Sequence, residues 1–404
     1  LRVKYNYLRA ISLIFLRIIF KMNKTSSVRA HTASPVTAFV KHNPVLTIAA
    51  VLALVTSFIV PPDREYLSYI DYRTITCLFC TLSVICALKE IKFFYVCAEK
   101  IVSLAKNLRL ATVSLVYITF IGSMLIANDM ALITFLPLGY IVLKCTNSEK
   151  YTAYVFILQN IAANLGGMLT PFGNPQNLYL YSYFSIPTGE FVTAMFPPFL
   201  LAVILITVAC LAVPATPISF CGERETLPAG RLAVYLALFA LSILVVFRGI
   251  PYIIGLIVIP VALLVIDKKA MREVDYGLLL TFVCFFIFSG NMSRIPAVSA
   301  LMRPLVGGSA KLELVSSALS CQAISNVPSA ILLSRFAKSW KPLLYGVNIG
   351  GCGTIISSLA SLITFRTYMA HSSEHGGNAG GYMKLFSAMN FAFLAVLLVF
   401  CLIL

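Results

Sequence analysis

Residues 164–178 read NLGGMLTPFGNPQNL, and residues 348–362 read NIGGCGTIISSLASL. The two stretches align without a gap at a constant separation of 184 positions. The identical positions are Asn164 and Asn348, Gly166 and Gly350, Gly167 and Gly351, Thr170 and Thr354, and Leu178 and Leu362. Self-similarity of this density indicates an internal repeat.

A second repeated feature lies upstream of each stretch. Asn128 stands in ANDMALITFLPL and Asn326 in SNVPSAILLSRF, both in apolar surroundings and 198 positions apart. Each half of the chain therefore carries two polar interruptions of an apolar tract, in the same order. Inverted repeats with interrupted helices are the usual construction of secondary transporters, whose binding site lies between the halves.

The composition requires a membrane as solvent. Of the 404 residues, 59% are hydrophobic and 11% are charged, whereas soluble proteins are about one quarter charged. Apolar runs of membrane-spanning length recur from Val45 to the C-terminus, so we predict an all-α polytopic protein with roughly 10–12 transmembrane segments in two inverted repeats. The predicted segments are 45–61, 73–88, 110–126, 128–145, 151–169, 191–213, 231–248, 250–266, 276–290, 313–334, 342–364 and 385–404, some of them half-spans.

Charge and composition divide the chain further. Residues 1–44 form a predicted leader, and its basic residues, unaccompanied by any acid, place the N-terminus in the cytoplasm. Residues 1–21 precede the first methionine and are either an upstream extension or an amphipathic surface helix. Residues 45–215 and 232–404 are the predicted repeats, and 216–231 is the linker. We expect a multi-pass protein of the plasma membrane.

The polar interruptions predict a binding site for a small ion. Unwound backbone at membrane depth is tolerated only where it is buried in protein or lines a wet cavity. At Gly173-Asn174-Pro175 a helix should stop and restart, since proline lacks an amide donor. A restarting helix suits an anion and a stopping helix suits a cation. The expected substrate-binding residues are Asn128, Asn174, Pro175, Asn177, Ser325, Asn326, Thr354, Ser358 and Ser361.

The competing explanation for the interruptions is a tight packing turn between helices. For Gly166, Gly167, Gly350 and Gly351 we favour that packing role, because small residues let backbones approach closely. For the asparagines and serines we favour the binding site.

Asp129 is the only ionisable side chain between Arg109 and Lys144. A charge at the bilayer centre costs at least about 2.5 kcal/mol, so this carboxyl group is either protonated or partnered. We predict that Asp129, with Asn128 and Gly173, carries cation coupling; the alternative is a neutral carboxyl group that caps a broken helix. Arg294 could neutralise Asp129, but we favour a loop at the membrane surface for it.

Several function classes find no support in the sequence. It has no phosphate-binding loop, and its four histidines lie outside the apolar segments. No acidic pair accompanies Asp129, so we predict neither an enzyme nor a metal site. We expect no cofactor, only Na⁺ or H⁺ as the coupling ion, and no nucleic-acid partner despite a net charge of +16. A passive channel remains an alternative, because broken helices also form filters.

These residues resemble the ion transporter superfamily, which includes arsenite permeases, NhaD-type sodium/proton antiporters, citrate transporters and divalent-anion/sodium symporters. Asn128-Asp129 resembles the arsenite-permease and antiporter branch, whereas the symporters carry Ser-Asn-Thr. Ser325-Asn326-Val327-Pro328 is similar to the second-half counterpart, and GNPQNL at 173–178 is similar to the citrate-transporter motif. The resemblance implies two re-entrant hairpins, two broken helices, alternating access and a homodimer.

We therefore expect a secondary transporter for a small anion, coupled to Na⁺ or H⁺ through Asp129. The anion would be a carboxylate such as citrate or a dicarboxylate, or an inorganic oxyanion. An arsenite-type efflux permease or a Na⁺/H⁺ antiporter on the same scaffold is the alternative.

Overall fold

The computed structural model describes residues 43–218, 227–375 and 377–404. Within these residues the regular structure is helical, with an isolated backbone bridge between Asn107 and Pro217. The predicted leader, apart from its last two residues, and positions 219–226 of the predicted linker lie outside the described residues. The all-α prediction is confirmed.

The helices are numbered in chain order. Their bounds are α1 Pro44–Ile59, α2 Tyr66–Tyr69, α3 Tyr72–Glu90, α4 Phe93–Val102, α5 Leu108–Ile126, α6 Asn128–Cys145, α7 Thr152–Gly166, α8 Pro175–Tyr183, α9 Thr188–Leu211, α10 Ala229–Val246, α11 Tyr252–Ile266, α12 Lys268–Arg272, α13 Tyr276–Arg294, α14 Pro296–Gly307, α15 Ala310–Ile324, α16 Asn326–Leu333, α17 Trp340–Ile349, α18 Leu359–His375 and α19 Ala379–Ile403.

Seven helical segments of the described residues are long and apolar enough to cross a membrane. They are α3, α5, α6, α9, α10, the segment 268–294 and α19. Helices α1 and α11 are apolar but shorter. The predicted spans 313–334 and 342–364 are interrupted, at Ser325 and over 350–358. These two are built from half-length helices, as the polar interruptions in the sequence indicated.

The chain divides into two compact units. Among the described residues, the first contains 43–71 and 275–301, and in it α1 packs against α13. Arg294 at the end of α13 forms ion pairs with Asp63 at 2.7 Å and Glu65 at 3.4 Å. The Arg294 guanidinium holds the pKa of Asp63 below its usual value. Arg294 is thus the last residue of a helix rather than a loop residue, and it pairs with acidic residues of the loop before α2.

The second unit, residues 72–274 and 302–404, contains both repeated motifs. Helices α5 and α6 form a hairpin, in which a Cβ on Gly122 would collide with the ring of Phe135. Helices α15 and α16 form the equivalent hairpin, in which Ser320 Oγ lies 2.9 Å from Ser329 Oγ. Helix α6 begins 198 positions before α16, so the sequence offset reappears in the helix bounds.

The helices after each hairpin are equivalent as well. Helix α7 ends at Gly166, is followed by the 3₁₀ turn Gly167–Leu169, and the chain becomes helical again at Pro175. Helix α17 ends at Ile349, and the chain becomes helical again at Leu359, 184 positions after Pro175. Both restarts lie at aligned positions of the two motifs. The first begins with Pro175, and a proline at the first helical position needs no amide partner.

The repeats interlock through their restarted helices. Helix α8 packs against α16 and α17, while α18 packs against α6 and α7. Since α8 is equivalent to α18 and α6 to α16, each repeat completes the packing of the other. The assignment of 45–215 and 232–404 as separate halves stays a prediction, because both motif sets belong to one compact unit.

Candidate functional site

The two hairpin tips have the same backbone construction. Ala127 has φ 67° and ψ 152°, and Ser325 has φ 73° and ψ 160°. Positive φ is uncommon for residues other than glycine, and it separates the two helices of each hairpin. The next residue begins the second helix: Asn128 Oδ1 accepts from Asp129 N, and Asn326 Oδ1 accepts from Val327 N, both at 2.9 Å.

Two equivalent threonines connect the hairpin tips to the broken helices. Thr170 Oγ1 donates to Met124 O at 2.8 Å, and Thr354 Oγ1 donates to Gln322 O at 3.0 Å. Met124 and Gln322 each lie three residues before a tip. The two threonines are 184 positions apart and their acceptors are 198 positions apart, so the same hydrogen bond occurs in both repeats. Thr354, a predicted binding residue, has this anchoring contact in the structure.

A group of buried asparagines, which we call the amide cluster, occupies the space between the tips and the broken helices. Its members are Asn128, Asn160, Asn164, Asn174, Asn177 and Asn348. Asn128 Nδ2 donates to Asn164 Oδ1 at 3.2 Å, so the first tip is joined to α7. Asn164 Nδ2 in turn donates to the carbonyl oxygen of Asn160 at 3.2 Å.

The amide cluster crosses from one repeat to the other. Asn174 Nδ2 donates to Asn348 Oδ1 at 3.4 Å, and Asn348 Nδ2 donates to Asn177 Oδ1 at 2.6 Å. These bonds link the start of α8 to the end of α17. Asn177 Nδ2 also donates to the carbonyl oxygens of Gly167 and Thr170, at 3.1 and 3.3 Å, and so caps the end of the first half of the broken helix.

Ser358 and Ser361 extend the network at the start of α18. Asn160 Nδ2 donates to Ser361 Oγ at 3.3 Å, and Ser361 Oγ lies 3.0 Å from Ser358 Oγ. Thr364 Oγ1 lies 3.5 Å from Asn160 Oδ1 one turn further along. Ser358, which is equivalent to Asn174 in the repeat, is thus joined to α7 of the first repeat.

The second hairpin tip lies beside the same cluster. Asn326 N donates to Ser357 O at 2.9 Å, and Ser325 Oγ lies 3.4 Å from the same oxygen. A Cβ on Gly351 would lie 3.4 Å from both Asn164 Oδ1 and Asn326 Nδ2. The two tips and the two broken helices therefore converge on one buried polar region.

Paired glycines permit this convergence. A Cβ on Gly166 would collide with Phe120 and Ser123, and a Cβ on Gly350 would lie 2.9 Å from Cys321 Sγ. Ser123 and Cys321 are 198 positions apart, so these contacts are repeated as well. A Cβ on Gly167 would collide with Asn174 Oδ1 inside the amide cluster. The packing role favoured for the paired glycines agrees with these close contacts.

Helix ends determine the charge of the region. Four helices, α6, α8, α16 and α18, begin at or directly after Asn128, Asn174, Asn326 and Ser358. A helix N-terminus carries free amide groups and roughly half a positive charge, which favours a bound anion. Asp129 lies half-buried in the first turn of α6. The region therefore combines positive helix ends with one carboxyl group.

Two buried acceptors of this region have no hydrogen-bond partner among the described residues. They are Asn174 Oδ1 and Gln176 Oε1, both at the start of α8. An unpaired buried acceptor costs roughly 1–3 kcal/mol, so these oxygens are suited to a bound cation or to a donor on a ligand. Pro175, between them, is the first residue of α8, and Gly173 forms the turn before it.

Some residues of the region have no prediction from the sequence. Asn160 lies one helical turn before Asn164, and this i, i+4 spacing on an apolar helix was the available signal. Gln322 accepts from Thr354 N at 2.8 Å and donates to Gly350 O at 2.9 Å. Apart from this region, in the first turn of α15, Glu313 is 3% exposed, and its Oε1 lacks a hydrogen-bond partner among the described residues. Because Glu313 lies at the edge of an apolar run, its burial was not predictable from the sequence.

Comparison with known proteins gives consistent matches. The profile of a family described as "Citrate transporter" matches residues 36–343. An uncharacterized transporter of Methanocaldococcus jannaschii is 33% identical over 320 residues, which cover 78% of this chain and 86% of that protein. The inner membrane protein YbiR of Escherichia coli is 27% identical over 317 residues, 77% of this chain and 84% of that protein.

Proposed function

Because the chain belongs to the citrate transporter family, we propose that this membrane transporter is a secondary active transporter of a small anion. The anion is a carboxylate such as citrate or a dicarboxylate, or an inorganic oxyanion, and its movement is coupled to Na⁺ or H⁺ through Asp129. The protein acts in the plasma membrane as a homodimer with a cytoplasmic N-terminus.

The convergence of four helix N-termini on the amide cluster supports an anionic substrate. The cluster is made of neutral amides, and its members Asn128 and Asn174 stand directly at helix starts. Helix starts and amide donors hold an anion without a basic side chain. A site of this kind also releases its substrate more readily than one with buried arginines, which suits a transporter.

Asp129 supports cation coupling. An ionised carboxylate in the first turn of α6 would repel an anion at the same helix end. A bound Na⁺ or a proton removes that repulsion, so the cation and the anion bind better together than alone. The orphaned acceptor Asn174 Oδ1 offers an additional oxygen near the same region. Reciprocal coupling of this type is what drives accumulation against a gradient.

We propose that the site opens to the two membrane faces in turn. The hydrogen bonds from Asn348 to Asn177 and from Asn174 to Asn348 keep the two broken helices together during movement. We take the site to move as one body between the two membrane faces, because separating these groups would leave buried amides unpaired.

A Na⁺/H⁺ antiporter or an arsenite-type efflux permease is the second candidate. The observation that favours it is the carboxyl group of Asp129, which follows Asn128 at the first hairpin tip. The Ser-Asn-Thr motif of the sodium symporters has threonine at the position of Asp129. In an antiporter the carboxylate itself carries the cation in exchange for a proton. An antiporter would need no anion at the amide cluster. A requirement for an anion therefore distinguishes the proposed anion transporter from an antiporter.

The test compares Asp129→Asn with the wild-type protein in proteoliposomes. We expect loss of at least tenfold in cation-driven accumulation of labelled citrate, dicarboxylates or oxyanions, with slow equilibration retained. Glu190→Gln is the matched control, because Glu190 is an exposed acid in the first turn of α9. Accumulation by Asp129→Asn equal to wild type contradicts the proposal, and cation-for-proton exchange without any anion establishes the antiporter.

A further inference from the structure

A cavity of about 330 Å³ lies in the second unit, apart from the amide cluster. It is lined by Lys89, Lys92, Phe94, Tyr95, Ile133, Thr134 and Pro137, and we call it the basic pocket. Its volume is in the range of small-molecule sites. None of its lining residues belongs to the amide cluster or to the hairpin tips.

Local backbone features create the basic pocket. Lys92 has a φ of 56°, so the chain turns sharply between α3 and α4. Pro137 lies inside α6 and has no amide hydrogen, which leaves the carbonyl oxygen of Ile133 without its helical donor. Helices α4 and α6 contact each other, and Phe94 at the start of α4 is buried.

The charge of the basic pocket is positive. Lys89 and Lys92 are both exposed. The carboxylate between them in sequence, Glu90, is engaged by Lys269 Nζ at 2.5 Å. The pocket combines the side chains of Lys89 and Lys92 with apolar and aromatic walls. This combination fits an amphiphilic anion.

The surroundings of the basic pocket are those of a membrane surface. The membrane-spanning helix α3 ends at Glu90 and α5 begins at Leu108. Between them Leu104 is 77% exposed, and Lys100, Lys106 and Arg109 add further positive charge. By the positive-inside tendency this is the cytoplasmic face, where the leaflet carries anionic lipids.

We propose that the basic pocket binds an anionic phospholipid of the cytoplasmic leaflet. The lipid phosphate lies between the ammonium groups of Lys89 and Lys92. One acyl chain runs along Phe94, Ile133 and Pro137 into the bilayer. The apolar walls of the basic pocket and its position between membrane-spanning helices favour a lipid over a free phosphate ion.

The test measures lipid retention by native mass spectrometry after reconstitution with phosphatidylglycerol, or with phosphatidylcholine alone. The wild-type protein is compared with Lys89→Gln/Lys92→Gln and with the control Lys100→Gln/Lys106→Gln, whose lysines are exposed and do not line the pocket. We expect about tenfold weaker retention of phosphatidylglycerol in the pocket variant, and retention like wild type in the control.

Two results would overturn the proposal. One is equal retention of phosphatidylglycerol by the pocket variant and the wild type, provided that both have the same melting temperature in phosphatidylcholine. The other is displacement of the lipid from the wild type by millimolar inorganic phosphate, which would identify a simple anion site. Neither result bears on the transported anion, because the pocket shares no residue with the amide cluster.

Discussion

Asn348 Nδ2 donates to Asn177 Oδ1 at 2.6 Å, and this bond joins the end of α17 to the first turn of α8. The two residues are 171 positions apart and belong to different repeats. Asn348 also accepts from Asn174 and donates to Leu344 O in its own helix. It is therefore the asparagine that the second repeat contributes to the amide cluster.

Replacing Asn348 by alanine should abolish transport. The change leaves the buried Asn177 Oδ1 without its donor, at a cost of roughly 1–3 kcal/mol. Asn174 Nδ2 loses one acceptor and keeps its bond to Asn164 O at 3.3 Å. We expect a lower melting temperature in detergent and at least a tenfold loss of uptake in proteoliposomes.

Asn390→Ala is the control for that change. Asn390 is fully buried on α19, but among the described residues it donates only to Phe386 O in its own helix. Uptake should stay within about twofold of wild type. Equal losses from the two alanine variants would show that any buried asparagine has the same effect, contrary to a special role for Asn348.

Gly167→Ala should disrupt the start of α8. The added Cβ collides with Asn174 Oδ1, and it also lies 2.7 Å from Gly173 O. The turn must shift, so Asn174 loses its position at the helix start. We expect a severe transport defect, measured as initial uptake rate, whereas Gly189→Ala should be neutral because no atom lies within 4 Å of its added Cβ. Normal uptake by Gly167→Ala would be incompatible with a rigid turn at this place.

Thr170→Val and Thr354→Val should each loosen one hairpin tip. Each change removes a hydroxyl that donates to Met124 O or Gln322 O, worth about 1 kcal/mol. We expect faster amide hydrogen exchange at the tip that loses its bond, measured by mass spectrometry, with the other tip unchanged. Thr367→Val is the control, since Thr367 donates only within its own helix to Ile363 O. Unchanged exchange in both variants would remove the anchoring role.

Asp63→Asn should weaken the first unit slightly, and the effect should depend on salt and pH. Arg294 lowers the pKa of Asp63, so the ion pair contributes stability at neutral pH and loses it as the pH falls through the folded-state pKa. The side chains are exposed enough for salt to screen the pair. A melting-temperature difference from wild type should be present at low salt and disappear in 1 M salt. A difference that persists in high salt would point to a cause other than the ion pair.

The repeat in the sequence was sufficient to predict where helices stop and restart. Asn128 and Asn326 begin α6 and α16, and Pro175 and Leu359 begin α8 and α18, at the offsets read from the sequence. These positions were predictable because proline, glycine and asparagine act locally on the backbone. The family assignment rested on the same motifs and is confirmed by the family profile.

The contacts within the amide cluster were not predictable in the same way. Asn160 donates to Ser361, which is 201 positions away. In the repeat alignment Asn160 corresponds to Leu344, so the repeat did not indicate a polar role for Asn160. The side-chain orientation of Thr354 toward Gln322 depends on tertiary packing. The binding roles of the predicted residues, and the coupling role of Asp129, stay predictions until transport is measured.

The most direct test of an anion held between the two repeats is uptake of labelled citrate, dicarboxylates and oxyanions by proteoliposomes. The measurement is made with and without an imposed Na⁺ or H⁺ gradient, for the wild type, Asn348→Ala and Asn390→Ala. We predict that the wild type and Asn390→Ala accumulate an anion above equilibrium only with the gradient, and that Asn348→Ala does not. Gradient-driven accumulation by Asn348→Ala at the wild-type level would contradict an anion site built from both repeats.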